Sequence, residues 1–359
     1  MENDKSTDDG HDEKTIIAEY EISDSELENE AKKATRELTI TNPESMTDDE
    51  AAKLANKIIK RATSLNAVKI DRAVFLRTEL KKACPNIDSD LAVEKTPIEA
   101  GVDPQTLDKI AASIIDFETK KCAGLSFLAG IPGGVALAGT VPADLAQYFA
   151  HVMRVEQKLA YLYGWQTFLN DEDEVDDETV MRLIVLMGVM LQVGGAANTI
   201  TKFAADVAQK SVQKTIQRKA LTKTVWYTPM KNVLRVIGIQ LNKEVFSKTL
   251  SKAVPVIGGL ISGGLTYASF KPGAERLRKY LRELPISGID PSEPDGASQN
   301  VLDEALNTIT PIAESAEATV VSVGKQAAET ASAGAQAAGN AVQDAFRGVG
   351  SFLGGLKKK

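Results

Sequence analysis

Along most of the chain, apolar residues recur at spacings of three and four, the period of an amphipathic helix. Strand-like alternation bounded by turn dipeptides recurs nowhere, so the expected fold class is all-α. A short helix is expected over about 24–38, interrupted by Thr39-Ile40-Thr41-Asn42-Pro43, because proline disfavours helix at the residue before it. Thr47 followed by Asp48, Asp49 and Glu50 marks the next start, with Ala51, Leu54, Ile58 and Ile59 on one face. A further helix is expected over 67–83, stopping before Pro85. Asp103-Pro104 opens another, running through Leu107, Ile110, Ile114 and Ile115 to Lys120-Lys121. Pro142 opens a long helix that passes Tyr161 and Tyr163 and ends at Gly164, and basic helices fill roughly 202–222 and 229–250.

Three uncharged stretches punctuate this pattern: Cys122–Ala143, Leu183–Thr201 and Ala253–Phe270. Each is near the length that crosses a bilayer's hydrocarbon core. Each is also diluted by small and polar residues, and Pro132-Gly133-Gly134 would break the first near its centre. Gly130 with Gly134, and Gly258, Gly259, Gly263 and Gly264, form small-xxx-small patterns that let helices approach closely. Two readings stay open: a Gly-packed helical core, or hairpins that dip into a membrane interface. Continuous spanning by all three is the weaker third.

Charge sharpens the picture. Residues 1–50 carry 17 acidic and 5 basic side chains, so the net charge of −7 leaves the remaining chain basic. Residues 202–282 hold 16 Lys/Arg against only a few acids. Such a block suits an anionic partner, and aromatics at 5% are too sparse for a base-stacking surface, which argues against nucleic acid. The opening MENDKSTDDGHDEK has the wrong sign for an export signal, and only Cys84 and Cys122 occur, so a reducing cytoplasm is expected.

The distinctive polar set is Asp144, Gln147, Tyr148, His151 and Arg154, with Asp144, Tyr148 and His151 on one helical face. An Asp144–His151 pair is the raw material of general-base catalysis or metal binding, which makes a hydrolase or metal-dependent enzyme the alternative function. The set reads equally as a polar cap buried between helices, and that is the expectation. The acidic loop 171–178 lacks EF-hand spacing, no phosphate-cradling GxxxxGK[ST] is present, and no cofactor is expected.

The tail carries a stripe spaced three and four from Val320 to Leu356, with other polar residues off it. It strengthens toward Phe346, Val349, Phe352, Leu353 and Leu356 and ends in Lys357, Lys358 and Lys359. That pattern is read as a long amphipathic helix lying on anionic membrane. The expected organisation is an acidic, largely disordered arm (1–44), a helical domain (45–285), a linker (286–297) and this tail (298–359).

From Val141-Pro142-Ala143-Asp144-Leu145 to Tyr161-Leu162-Tyr163-Gly164 the chain resembles the EcsC family of bacterial proteins. The order matches a Gly-rich apolar stretch, a Pro-x-Asp-Leu helix start, Arg154 and a terminal Tyr-Gly. Val254-Pro255-Val256-Ile257-Gly258-Gly259 resembles the family's second Gly-rich motif, and the likeness covers roughly 90–285. The resemblance implies a helical domain in a membrane context, in a family named for a gene beside an ABC transporter's genes, with no established catalysis. The resulting expectation is a cytoplasmic interaction protein held peripherally at the inner face of the cell membrane. It would bind anionic lipid or a membrane partner such as a transporter. A conditionally inserting, pore-forming protein is the third reading.

Overall fold

The computed structural model describes residues 21–38, 46–130, 137–166, 168, 175–209, 223–250 and 270–297, with the backbone alone over 124–130, 137–141, 206–209, 223–225 and 241–250. Every regular element among them is helical, so the fold class is all-α. In chain order these are α1 (Asp24–Thr35), α2 (Asp48–Thr63), α3 (Arg72–Ala83), α4 (Ser89–Glu94), α5 (Pro104–Gly130), α6 (Leu137–Leu162), α7 (Asp177–Met190), α8 (Ala196–Gln209) and α9 (Lys223–Leu250). A tenth helix, α10, covers residues 270–282 of the described chain. Short 3-10 turns lie at Asn66–Val68 and Pro285–Ser287.

Local chemistry accounts for most of the boundaries. Ser23 with Glu26, and Thr47 with Glu50, form reciprocal capping boxes that satisfy the orphan N–H groups of α1 and α2. Asp71, Asp103 and Asp176 cap α3, α5 and α7 by accepting from backbone N–H groups three residues on. The end of α6 is a Schellman turn, in which Trp165 N–H donates to the Ala160 carbonyl at 3.0 Å and Gly164 N–H to Tyr161. Gly164 sits there at φ +86°, and a Cβ on it would strike the Ile286 backbone. Only glycine meets both demands.

The long helix α6 is the hub. Every residue from Phe149 to Trp165 is buried, with α1, α2, α3, α5 and α7 packed around it. Helix α9 packs on α2 and α7 and closes the other side of the bundle. Gly238 permits that contact, since a Cβ there would lie 2.5 Å from Ala52 N and 2.8 Å from Ala52 Cα.

Several expectations change. The helix expected over 67–83 begins at Arg72, because the carbonyls of Ala67, Val68 and Ile70 are taken by α6 side chains instead of by their own helix. The helix expected to stop at Lys120-Lys121 continues as α5 to Gly130. Pro142 lies inside α6, which starts at Leu137, and Pro229 likewise lies inside α9. Helix α4 was not anticipated; Arg72 stabilises it by donating to the Val93 and Lys95 carbonyls at 2.7 and 3.1 Å at its C-terminal end. The second uncharged stretch is two helices, α7 and α8, with a turn at Gln192–Gly195 where Gln192 takes a left-handed φ of 57°. No helix among the described residues is long and apolar enough to cross a membrane. Residues 286–297, expected as a linker, bring Asp295 and Gly296 back onto α10 and α5. The third uncharged stretch up to residue 269, and the C-terminal stripe with Phe346, Val349, Phe352, Leu353, Leu356 and Lys357–Lys359, lie outside the described residues.

Gly238→Ala gains helix propensity of about 1 kcal/mol, yet it forces a methyl onto the α2 backbone, an overpacking cost of about 1–3 kcal/mol. Thermal unfolding should therefore show a lowered Tm. Gly194→Ala, with nothing near its Cβ position, should leave Tm unchanged or slightly raised; equal behaviour of the two variants would refute the close α2–α9 approach.

Candidate functional site

Helix α6 places five polar side chains, His151, Arg154, Glu156, Gln157 and Lys158, inside the protein, each at most 2% exposed. His151, Arg154 and Lys158 follow at three and four and share one face, whereas Glu156, two residues from Arg154, points about 200° away. These groups can be buried only if their hydrogen bonds and charges are met within the fold.

On the first face they are met by Glu118 of α5 and Glu21 ahead of α1. Glu118 is fully buried and accepts from three donors: His151 Nδ1 at 2.6 Å, Lys158 Nζ at 2.6 Å and Arg154 Nε at 3.1 Å. Burial alone would raise its pKa. The Lys158 and Arg154 charges and the His151 hydrogen bond overcome that and hold the carboxyl well below the usual carboxylate range. Arg154 also donates to the Ala67 carbonyl and, through Nη2, to Glu21 at 2.5 Å; Lys158 Nζ donates to the other Glu21 oxygen. Gln157 Nε2 reaches the Val68 carbonyl at 2.8 Å and Tyr161 OH the Ile70 carbonyl at 3.2 Å. One face of α6 thus ties α1, α5 and the 66–70 segment together.

Ionised Glu118 can only accept, so Nδ1 of His151 carries a proton, and Nε2 is buried with no partner among the described residues. A carboxylate–imidazole pair with its far nitrogen unengaged is the arrangement of a general base. The nearby Cys122 thiol is pushed well up by burial and by Glu118, which keeps it protonated and a poor nucleophile. Among the described residues no three His, Cys, Asp or Glu converge to hold a metal.

A second buried cluster lies between α5, the end of α6 and α10. Asp108 accepts from Arg282 Nε at 3.0 Å, from Tyr163 OH at 2.9 Å and from the Gly296 N–H at 3.0 Å. Arg278 pairs with Asp295 through two bonds at 2.9 and 2.8 Å and with Glu275 at 2.7 Å. Arg282 Nη2 donates to the Glu293 and Pro294 carbonyls at 3.0 and 3.1 Å. This cluster pins 293–296 to the bundle. Glu156, by contrast, has neither oxygen partnered among the described residues, and burial pushes its pKa well above the ordinary carboxylate range, which favours the neutral acid.

The sequence set Asp144, Tyr148, His151 and Arg154 lies along α6, and two of its members, His151 and Arg154, meet at Glu118. His151 bonds Glu118, not Asp144. Asp144 is half-buried, and Tyr148 packs edge-on against Phe149 and Phe270. Glu118, Glu21 and Lys158 went unnoticed. Glu118 was detectable as a carboxylate three and four residues beyond Ile115 and Ile114 on the apolar face of α5; Glu21, from a distant segment, gave no signal. Comparison with known protein families, curated proteins and solved structures finds no match.

Two buried carboxyls should respond oppositely to pH. Glu156 has a raised folded pKa, so the stability it allows is fully present below the unfolded value and falls as pH rises. Glu156→Gln should raise Tm at pH 8 by roughly 2–4 °C per kcal/mol relieved, with the gain vanishing near pH 4. Glu118 has a depressed folded pKa and contributes above the unfolded value. Glu118→Gln should cost about 3–5 kcal/mol at neutral pH, and the gap should close only as pH falls below the usual carboxylate range. A thermal-unfolding series that moves both variants the same way with pH would contradict these assignments.

Proposed function

We propose that the protein is a membrane-peripheral helical interaction protein whose basic face docks on anionic lipid. The observation that carries this reading is the outer face of α9. Trp226, Val233, Leu234 and Ile237 turn inward, while Tyr227, Lys231 and Arg235, spaced by four, remain exposed. Tyr227 is 52% exposed, one of two large hydrophobics left at the described surface, and Lys231 Nζ lies 5.5 Å from its ring centroid. An amphipathic ring flanked by cations suits the headgroup level of a bilayer, where each Lys or Arg adds about 1 kcal/mol near anionic lipid.

Charge complementarity favours lipid over an apolar partner, since this face belongs to the basic block at 202–282. The C-terminal stripe from Val320 to Leu356, read as a long amphipathic helix that strengthens from Phe346 onward and ends in Lys357–Lys359, would add a second contact. The Gly-rich apolar stretches, taken as close-packing hairpins, and the EcsC-like order of segments support the same membrane context. They place the protein, in this proposal, at the inner face of the cell membrane next to a partner such as a transporter.

Flotation with phosphatidylserine-containing vesicles tests the reading. The full chain should float, and should float less as salt rises. Lys231→Ala with Arg235→Ala should weaken partition by roughly 30-fold, two charges at about 1 kcal/mol each. A chain ending at Ala297 should bind more weakly still. A full-length protein that stays with the unbound fraction at low salt sinks the proposal.

A further inference from the structure

Several cations at the surface lie against a carboxylate, as Arg77 does against Asp90 and Lys82 against Glu79. The outer face of α9 is different. Among the described residues no carboxylate pairs with Lys231 or Arg235. Lys231 Nζ instead stands 5.5 Å from the centroid of the exposed Tyr227 ring. The helix cannot supply the missing charge, since no acid occurs from Lys223 to Lys243. Like charges four residues apart on a helix repel, so this face favours an anionic occupant.

The counter-charge is at the start of the chain. Residues 1–20 carry seven acids against two lysines, with Asp8, Asp9, Asp12 and Glu13 inside six residues. This arm is tethered where it ends, by the strap that Glu21 and Ile22 make ahead of α1. Glu21 accepts from Arg154 Nη2 and Lys158 Nζ, while Lys121 Nζ donates to the Ile22 carbonyl at 3.2 Å and pairs with Asp24 at 3.2 Å. From Tyr161, one turn past Lys158, four ring contacts of 5.2–6.0 Å lead through Phe168, Trp165 and Phe203 to Trp226 of α9. The anchor and the α9 face are therefore on the order of 30 Å apart, and residues 8–20 extend to about 43 Å. Such a tether holds the acids near the face at an effective concentration of about millimolar.

We propose that residues 1–20 are the occupant of this face within the same chain. Asp8, Asp9, Asp12 and Glu13 supply the counter-charge to Lys231 and Arg235, and anionic lipid competes for the same cations. The strap stays in place; only the arm before it exchanges. Exposed ion pairs are individually weak, so a bilayer with many anionic headgroups displaces the arm. The competition rests on the lipid reading of α9, whereas the docking does not.

Carbodiimide cross-linking of the full chain without vesicles, mapped by peptide mass spectrometry, tests the docking. Lys231 should form an amide with one of the four acids, and less of it as salt rises. The Lys121–Asp24 pair serves as the coupling control. An arm that couples only to other lysines, or to none while the control couples, overturns the proposal. So do links between isotope-labelled and unlabelled copies, which would place the arm on a second molecule. Flotation with phosphatidylserine vesicles tests the competition. Full-length protein with Asp8→Asn, Asp9→Asn, Asp12→Asn and Glu13→Gln should partition several-fold more than wild type at low salt. That gain should vanish when Lys231→Ala and Arg235→Ala are added. An equal gain in both backgrounds would mean that the acids merely repel the bilayer, which contradicts competition at this face. If the cross-link forms and neither protein floats, the lipid reading fails and the docked arm stands.

Discussion

A carboxylate with no solvent exposure, Glu118, decides whether the centre of this protein can exist as built. It faces two cations and an imidazole from the neighbouring helix, and without it Arg154 and Lys158 would lose the fully buried carboxylate that both of them donate to. Desolvating such groups costs several kcal/mol each, repaid only when geometry and hydrogen bonding are complete. They are close to complete here. Each oxygen of Glu118 is engaged, and Arg154 adds a backbone carbonyl and a second acid.

The rest of the architecture follows from where those polar groups reach. Gln157 and Tyr161 continue the Arg154 face and claim the Val68 and Ile70 carbonyls, which denies the 66–70 segment a helix of its own and places the start of α3 at Arg72. The strap before α1 is bound to the same face. At the far end of α6, Tyr163 donates to Asp108, whose other partners come from α10 and the chain beyond it. A helix that would pack by apolar contact alone is instead held in register by hydrogen bonds to named atoms on three other segments: the strap, the 66–70 segment and α5. His151 Nε2 and the Glu156 carboxyl, unpartnered among the described residues, stand out against that background of satisfied charges on α6.

How much of this was readable from sequence depends on the range of each signal. Thr47 with Glu50, Asp103 with Pro104, and Gly164 act within four or five residues, and each marks an element boundary where expected. The all-α class follows from spacing, which is also local. Partner choice is not local. His151 and Asp144 are seven residues apart and suggested a pair, yet His151 bonds Glu118, 33 residues upstream, because α5 rather than the same helix lies against that face. The glycines behaved similarly. Runs such as Gly258-Gly259 attract attention, but the described close approaches are made by single glycines, Gly188 under Val233 and Gly238 against Ala52, whose value lies in the neighbour and not in any motif.

The central claim is that Glu118 and Lys158 act as one unit. A double-mutant cycle measures this directly, using Glu118→Gln, Lys158→Met and the double variant in denaturant unfolding. The account predicts a double variant more stable than the sum of the single losses, with a coupling of roughly 1–3 kcal/mol. Losses that add to within about 0.5 kcal/mol would show that the two charges do not depend on each other, and would contradict it.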